Sequence, residues 1–288
     1  LTNFPVIENP KPIDGTKKIG FVVASTSQGT FILNRFDSLT WQFSDAKPDA
    51  SVNIAGISAY LLENSSYDEQ EAQLCCQVLD LRRRHHGDDV IALDVGANIG
   101  VFTVIWARHM AGWGRVIGIE AQERMYYALC GNIALNNCWN AQALRVAISD
   151  EAGSIRFNEP DYRSQGSFGA LELKNNFMPG QELDPSRETM VQAITIDSLR
   201  LFRLDFLKLD IQSMEGVALR GAAETIKRFR PVISIEVCLD REGSIRGLLE
   251  EFGYTPPSQW PDATRQAVLV HPSDPIKADL AGIRATGD

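Results

Sequence analysis

The sequence predicts an α/β fold: a doubly wound, mostly parallel sheet with an antiparallel last strand, plus a small β-rich N-terminal addition. Three observations carry that expectation. From Val90 onward, apolar β-forming runs alternate with helix-length stretches. IALDVGANIGVFT, Ile91 to Thr103, places two glycines, Asp94 and Asn98 at the end of an apolar run. Two later runs, FLKLDI and PVISIEV, carry acids toward their ends.

In order, KIGFVVAS and GTFILNRF read as two strands of a hairpin turning at Ser25–Gly29. NSSYDEQEAQLCCQVLDLRRRHHG reads as a helix. Ser66 and Glu69 fit a capping box, Leu74, Val78 and Leu81 share a face, and Gly87 stops it. VIALDV is a strand, followed by a helix from about Ile99 to Met110; GRVIGIEA is a strand, followed by a helix through ERMYYALCGNIALNN. ALRVAIS and FLKLDI are strands, EGVALRGAAETIKRF a helix, PVISIEV a strand opened by Pro231, and SIRGLLEEF a helix. YTPPS and QAVLVHP close the pattern as antiparallel strands. Residues 151–196 interrupt the rhythm: GSIRFNE and TMVQAITI are strands around a Gly-, Pro-, Asn- and Asp-rich loop, read as a lid, with a surface loop as the alternative. The expected division is a hairpin and cap region at 1–65 and a main domain at 66–288 carrying the 151–196 insertion. Residues 1–65 would cap a pocket or build a homodimer contact.

The 288 residues are 44% hydrophobic and 23% charged, which suits one large domain with a small addition. No apolar run reaches the ~20 residues that span a bilayer. LTNFPVIENPKPIDG lacks the layout of a signal peptide, and five cysteines with Cys75 beside Cys76 argue against a disulfide framework. A cytoplasmic, reducing compartment is expected. The net charge of −9 disfavours nucleic acid as a partner. The basic cluster LRRRHHG falls at a helix C-terminus, where it complements the dipole.

A strand ending in Asp94 that runs into GANIG and then a helix builds a ligand turn at the carboxyl edge of the sheet. Gly96 permits a turn that a Cβ would block, and Gly100 brings the helix start close to strand and ligand. The spacing is G-x-x-x-G, so the dinucleotide fingerprint is absent, and no P-loop sequence occurs. Glu120 ends the next strand, where a carboxylate accepts both hydroxyl protons of a ribose; capping the following helix is the alternative. Asp94 also suits an Asx contact within the turn. Lys208 and Asp210 share a face of FLKLDI, and Ser234 and Glu236 share a face of PVISIEV. Polar pairs in buried parallel strands point to a substrate-facing cluster, against the alternative of a structural ion pair and a helix cap.

DVGANIGVFT with VIGIEA resembles the cofactor site of S-adenosylmethionine-dependent methyltransferases with a Rossmann-like fold. NIALNN, VAISDEAGSIRF, AITIDSL, FLKLDI, EGVALRGAAETI and PVISIEV follow in the order seen in the FkbM family, over about Tyr67 to Pro272. The resemblance implies a class I methyltransferase that O-methylates a hydroxyl of a sugar, glycolipid or related small-molecule acceptor. It implies that Asp94, Gly96, Ala97, Asn98, Gly100 and Thr103 surround the methionine part of S-adenosylmethionine. Glu120 would hold the ribose, and Ala147 to Asp150, Ser149 among them, would flank the adenine. A hydroxyl needs a base or a metal to react at neutral pH. Asp210 is the first candidate for base or hydroxyl orienter, Glu236 the second, and Lys208 would position Asp210 or polarise the acceptor oxygen. No third ligand accompanies the two carboxylates, so a divalent metal is not predicted.

One departure stands out. Where the family reads Asp-Ile/Val-Glu-Gly-x-Glu, this chain reads DIQSME, with Gln212 and Ser213. That motivates a rival: a non-catalytic module that keeps the cofactor as a structural ligand. The histidines, 85, 86, 109 and 271, read as surface residues and the cysteines show no C-x-x-C; Cys238 reads as a buried filler or acceptor-pocket residue. Tyr67 and Glu69 lie on the segment that approaches the methyl donor in the resembling family, and SQGSFG, Ser164 to Gly169, would fold over the acceptor.

Overall fold

The computed structural model describes residues 19–42, 51–237, 244–260 and 266–285. Cys238 and the first eighteen residues lie outside them. Two hairpins come first: β1 (Phe21–Ser25) with β2 (Thr30–Asn34), and β3 (Ser38–Gln42) with β4 (Ser51–Ala55). Reading this region as strands alone omits α1 (Ile57–Asn64), an eight-residue helix ended by Ser65 in the left-handed region. α2 (Glu69–His86) follows, and Gly87 ends it at φ 79°. Its N-cap is Asp68, whose carboxylate accepts from the Glu71 N–H, not the expected Ser66. Its row Glu71, Cys75, Val78, Arg82 faces inward, so an acid and an arginine end an otherwise apolar stripe.

The main sheet has six strands in the order β13-β12-β11-β5-β6-β7. They are β5 (Val90–Val95), β6 (Gly114–Ile119), β7 (Ala141–Leu144), β11 (Phe206–Leu209), β12 (Val232–Glu236) and β13 (Gln266–Leu269). All neighbours are parallel except β12 with β13. Every residue of β5 is buried, as a central parallel strand covered on both faces requires. Val90, Ala92, Phe206 and Val232 pack on one face with α2 and α3 (Val101–His109). Ile91, Leu93, Val95, Leu207, Leu209, Ile233 and Ile235 pack on the other, with α5 (Glu215–Arg220), α6 (Ala223–Phe229) and α7 (Ser244–Glu251). Helix α4 (Glu123–Leu135) packs on β2 and β7, joining the first hairpin to the main body.

Several boundaries differ from expectation. ALRVAIS divides: β7 stays in the main sheet, while β8 (Ala147–Ile148) pairs with β10 (Glu188–Ile194), which also pairs with β9 (Gly153–Asn158). The insertion thus supplies two strands, β9 and β10, of a three-stranded sheet completed by β8. The helix through EGVALRGAAETIKRF breaks at Gly221–Ala222 into α5 and α6. YTPPS forms no strand, and a further helix, α8 (Ile276–Ala285), follows β13. α8 contacts α2 near the Arg82 guanidinium, which pairs with Asp205 at 3.1 Å and with Asp274. The basic run is therefore mixed: Arg83 to His86 occupy the last turn of α2, but Arg82 is a buried anchor.

Candidate functional site

The carboxyl ends of β5, β6, β11 and β12 open on one cavity of about 390 Å³. Its floor begins at the glycine turn. Gly96 has φ 85°, and a Cβ there would lie 1.9 Å from the Asp210 carbonyl oxygen, so the turn and the end of β11 can touch only through glycine. Gly100, at φ 84°, would drive a Cβ to 2.4 Å from Leu129 Cδ1; it secures helix packing and is not part of the cavity wall. The Gly96 and Ala97 N–H groups donate to the Ile119 carbonyl at 3.0 and 2.9 Å, tying the turn to β6. Asn98 sits at φ 51°, and its N–H donates to Glu120 Oε2 at 2.9 Å.

Glu120 lines the cavity and is 6% exposed. Its second oxygen accepts from the Gln122 N–H at 2.7 Å, so it also steadies the start of α4, the alternative reading of this residue. Each oxygen keeps a lone pair beyond its backbone donor. Burial pushes its carboxyl up to about 7 against those donors. Asp94 stands behind the wall. One of its oxygens accepts the Thr103 hydroxyl at 2.6 Å, and the other is buried with no hydrogen-bond partner among the described residues. Thr103 is likewise buried, so its visible role is to hold Asp94. Ala147 lines the cavity; Ser149 does not, its N–H going to the Ile194 carbonyl at 2.8 Å.

A second cluster occupies the ends of β11 and β12. Lys208 stands opposite Asp94 on one side and Ser234 on the other. It is 2% exposed, and its Nζ donates to Asp210 Oδ2 at 2.7 Å. Burial pushes the ammonium down, but Asp210, Asp94 and Glu71 prevail and raise it. Burial also pushes Asp210 up, but the Lys208 charge together with hydrogen bonds from Glu236, Lys208 and Gln212 outweighs it and holds that carboxyl below its ordinary value. For Glu236, burial and the charge of Asp210 act together and raise it to about 8. Gln212 Nε2 donates to Glu236 Oε2 at 2.8 Å and to Asp210 Oδ1 at 3.3 Å. Gln266, on β13, donates to Asp210 Oδ2 at 3.3 Å and accepts from Ser234 Oγ at 2.8 Å. Asp210, Gln212 and Glu236 line the cavity, and Lys208 supports them from behind. Among the described residues, no three His, Cys, Asp or Glu side chains are disposed to hold a metal ion.

The roof comes from two segments distant in sequence. Gly56, Ile57 and Tyr67 approach from the N-terminal region, and Ser167, Gly169, Ala170, Leu171 and Leu173 from the insertion. Asp37, 1% exposed, joins them: its carboxylate accepts from the Ser58 N–H at 2.9 Å and the Phe168 N–H at 3.1 Å. Gln122 ties roof to floor, donating to the Phe168 carbonyl at 2.9 Å and accepting from the Tyr162 hydroxyl at 3.1 Å.

Sequence reasoning missed Glu71, Gln266 and Asp37. Glu71 had a signal, an acid on the inward row of α2; one of its oxygens is buried with no hydrogen-bond partner among the described residues, and burial raises the carboxyl to about 7. Gln266 had none, because only the register Glu236↔Gln266 brings it to the site.

The sheet order, the glycine turn after β5 and the acid ending β6 define the Rossmann-like class I methyltransferase architecture. The chain belongs to the FkbM methyltransferase family: residues 94–256, more than half of its length, match the Methyltransferase FkbM domain. It is 31% identical over 108 residues to the 23S rRNA (uracil(1939)-C(5))-methyltransferase RlmD of Acinetobacter baumannii strain AB0057. That stretch is 38% of this chain but only 21% of the relative's length. Among solved structures, the methyltransferase FkbM of Methylobacillus flagellatus KT aligns with TM-score 0.44 and 16% identity, over 64% of this chain and 44% of that one. M. jannaschii TYW2 in complex with AdoMet aligns with TM-score 0.40 and 12% identity, over 88% and 85%.

Proposed function

We propose that this protein is an S-adenosylmethionine-dependent methyltransferase that O-methylates a hydroxyl of an uncharged acceptor, a sugar, glycolipid or related metabolite. One observation carries the reading: the Asp210–Glu236 pair opens on the same cavity as the glycine turn and Glu120, and no basic side chain lines that cavity among the described residues. The residues suit the donor. Glu120 lines the cavity with a lone pair left on each oxygen for ribose hydroxyls, and the turn at Gly96 beside it is held so close to the Asp210 carbonyl that no Cβ fits. Asn98 and the Gly96 backbone would face the amino-acid tail, and Ala147 the base. When bound, S-adenosylmethionine supplies a methyl group on a sulfonium, open to attack in line.

The chain's own task is to orient an acceptor hydroxyl and take its proton. Asp210, kept ionised by Lys208, is a hydrogen-bond acceptor and a poor base. Glu236, at about 8, matches a proton acceptor working near neutrality far better. The proton leaves the hydroxyl and rests on Glu236. This reverses the order in which the sequence ranks the two acids. An RNA acceptor has less support: the wall offers phosphates no cation, and the chain carries −9.

The test is S-adenosylhomocysteine release with neutral glycosides, phosphorylated sugars and RNA as acceptors. Product with neutral hydroxyl acceptors alone is expected, rising with pH through about 8 as Glu236 ionises. Turnover confined to phosphorylated or RNA acceptors would overturn the acceptor class. Tight cofactor binding without product from any acceptor would favour the non-catalytic module.

A further inference from the structure

Gln212 and Ser213 are consecutive non-glycine residues in the left-handed region, at φ 48° and 72°. Each is strained, and such a backbone persists where its surroundings over-determine it. What determines Gln212 is its side chain. The amide nitrogen has two hydrogens, and the two acceptors within reach belong to different carboxyls, Glu236 Oε2 at 2.8 Å and Asp210 Oδ1 at 3.3 Å. These carboxyls come from adjacent strands and face one cavity. Left to themselves, two acids so placed repel when both ionise.

We infer that Gln212 is a positioning residue: its amide is a neutral cross-link that holds the Asp210 and Glu236 carboxyls in one arrangement and presents Glu236 to the acceptor. A glutamate in its place would have the same length, no donor and a third negative charge. The amide matters unequally to its two partners. Asp210 keeps Lys208 and Gln266 as donors if the amide is removed. Neither of those reaches Glu236. The charged groups facing Glu236 are Asp210 and Lys208 from β11 and Glu215 from α5, of which only Lys208 favours its ionised form. Asp210 also hydrogen-bonds Glu236 directly and favours its protonated form. The Gln212 amide opposes that by donating to the Glu236 carboxylate, so Gln212 helps set how readily Glu236 gives up its proton and where the carboxylate points. The inference rests on reading Glu236 as the proton acceptor, but its test does not use turnover.

The measurement is a pH titration of the side-chain carboxyl carbon of Glu236 in full-length protein labelled with δ-¹³C-glutamate, its signal assigned by loss in Glu236→Gln. Removing the donor in Gln212→Met should raise the Glu236 midpoint by roughly one pH unit, and Gln212→Glu should raise it further. Circular dichroism and thermal melting establish that each variant is folded. In unaltered protein, the Gln212 side-chain amide resonances should stay resolved and shift with the Glu236 midpoint, which tests the cross-link without any variant. Identical Glu236 midpoints in wild type and folded Gln212→Met would overturn the inference. So would a Gln212 amide that exchanges freely and ignores the titration.

Discussion

The two halves of the cavity wall solve the same problem differently. On the β5–β6 side, polar groups are fixed by backbone. The N–H groups of Asn98 and Gln122 hold Glu120, and the Ile119 carbonyl holds the turn. On the β11–β12 side, they are fixed by one another, through Lys208, Gln212 and Gln266 around Asp210 and Glu236. A backbone cradle is rigid, since its donors come with the fold whatever side chains they carry. A side-chain network is adjustable: one substitution alters proton affinity without moving a strand. In the proposed reaction the first arrangement would face the methyl donor and the second the acceptor.

The sharpest break is Gly96→Ala. The Cβ would meet the Asp210 carbonyl at 1.9 Å in a left-handed residue, so a loss of ~3 kcal/mol in stability is expected, with S-adenosylhomocysteine affinity down at least about a hundredfold. Urea unfolding and calorimetry read both, and a stable, binding-competent variant would refute the rigid cradle.

A second test uses pH. Glu71, Glu120 and Glu215 are raised to about 7 and Glu236 to about 8, against 4.5 unfolded. Between those values the folded chain holds protons that the unfolded chain has released. Stability therefore falls as pH rises from about 4.5 to about 8. A drop of roughly 5–10 °C in Tm is expected, opposed below pH 6.5 by the lowered His86 and His271. A melting temperature that climbs from pH 6 to 8 would contradict the buried carboxyls. Glu236→Gln should flatten the upper end of that fall, and Glu120→Gln the middle.

Smaller effects separate the halves. Glu120→Gln should weaken S-adenosylhomocysteine binding by ~1.5–3 kcal/mol, about 10- to 150-fold, and abolish a rise in affinity through pH 7. Titrations in calorimetry at pH 6 and 8 would show it. Asp210→Asn should change cofactor affinity least, within about threefold, while lowering turnover. An equal loss of both would place Asp210 in the donor half.

Much of the fold was legible in the residues. Strand–helix alternation gave the sheet, because a strand buried on both faces must be an apolar run, and Asp94, Glu120, Asp210 and Glu236 were visible as acids where such runs end. Gly96 was legible because a tight turn beside a ligand leaves no room for a Cβ. The splitting of ALRVAIS was not, since pairing with β10 depends on a strand more than forty residues away. For the roof, the residues suggested the segments, a cap from 1–65 and a lid from 151–196, but not their joint: Asp37 joins Ser58 and Phe168 only once distant segments meet.

Local chemistry thus determined which side chains are polar against an apolar background, and so where chemistry happens along the chain. Tertiary structure alone decided how those groups share their charge. The pairing of Lys208 with Asp210, two residues apart, was legible, but nothing local says that Glu236 retains its proton beside them, or that Gln212 links the two acids. Proton affinity depends on distance and burial, and both are set by strands that the sequence keeps far apart.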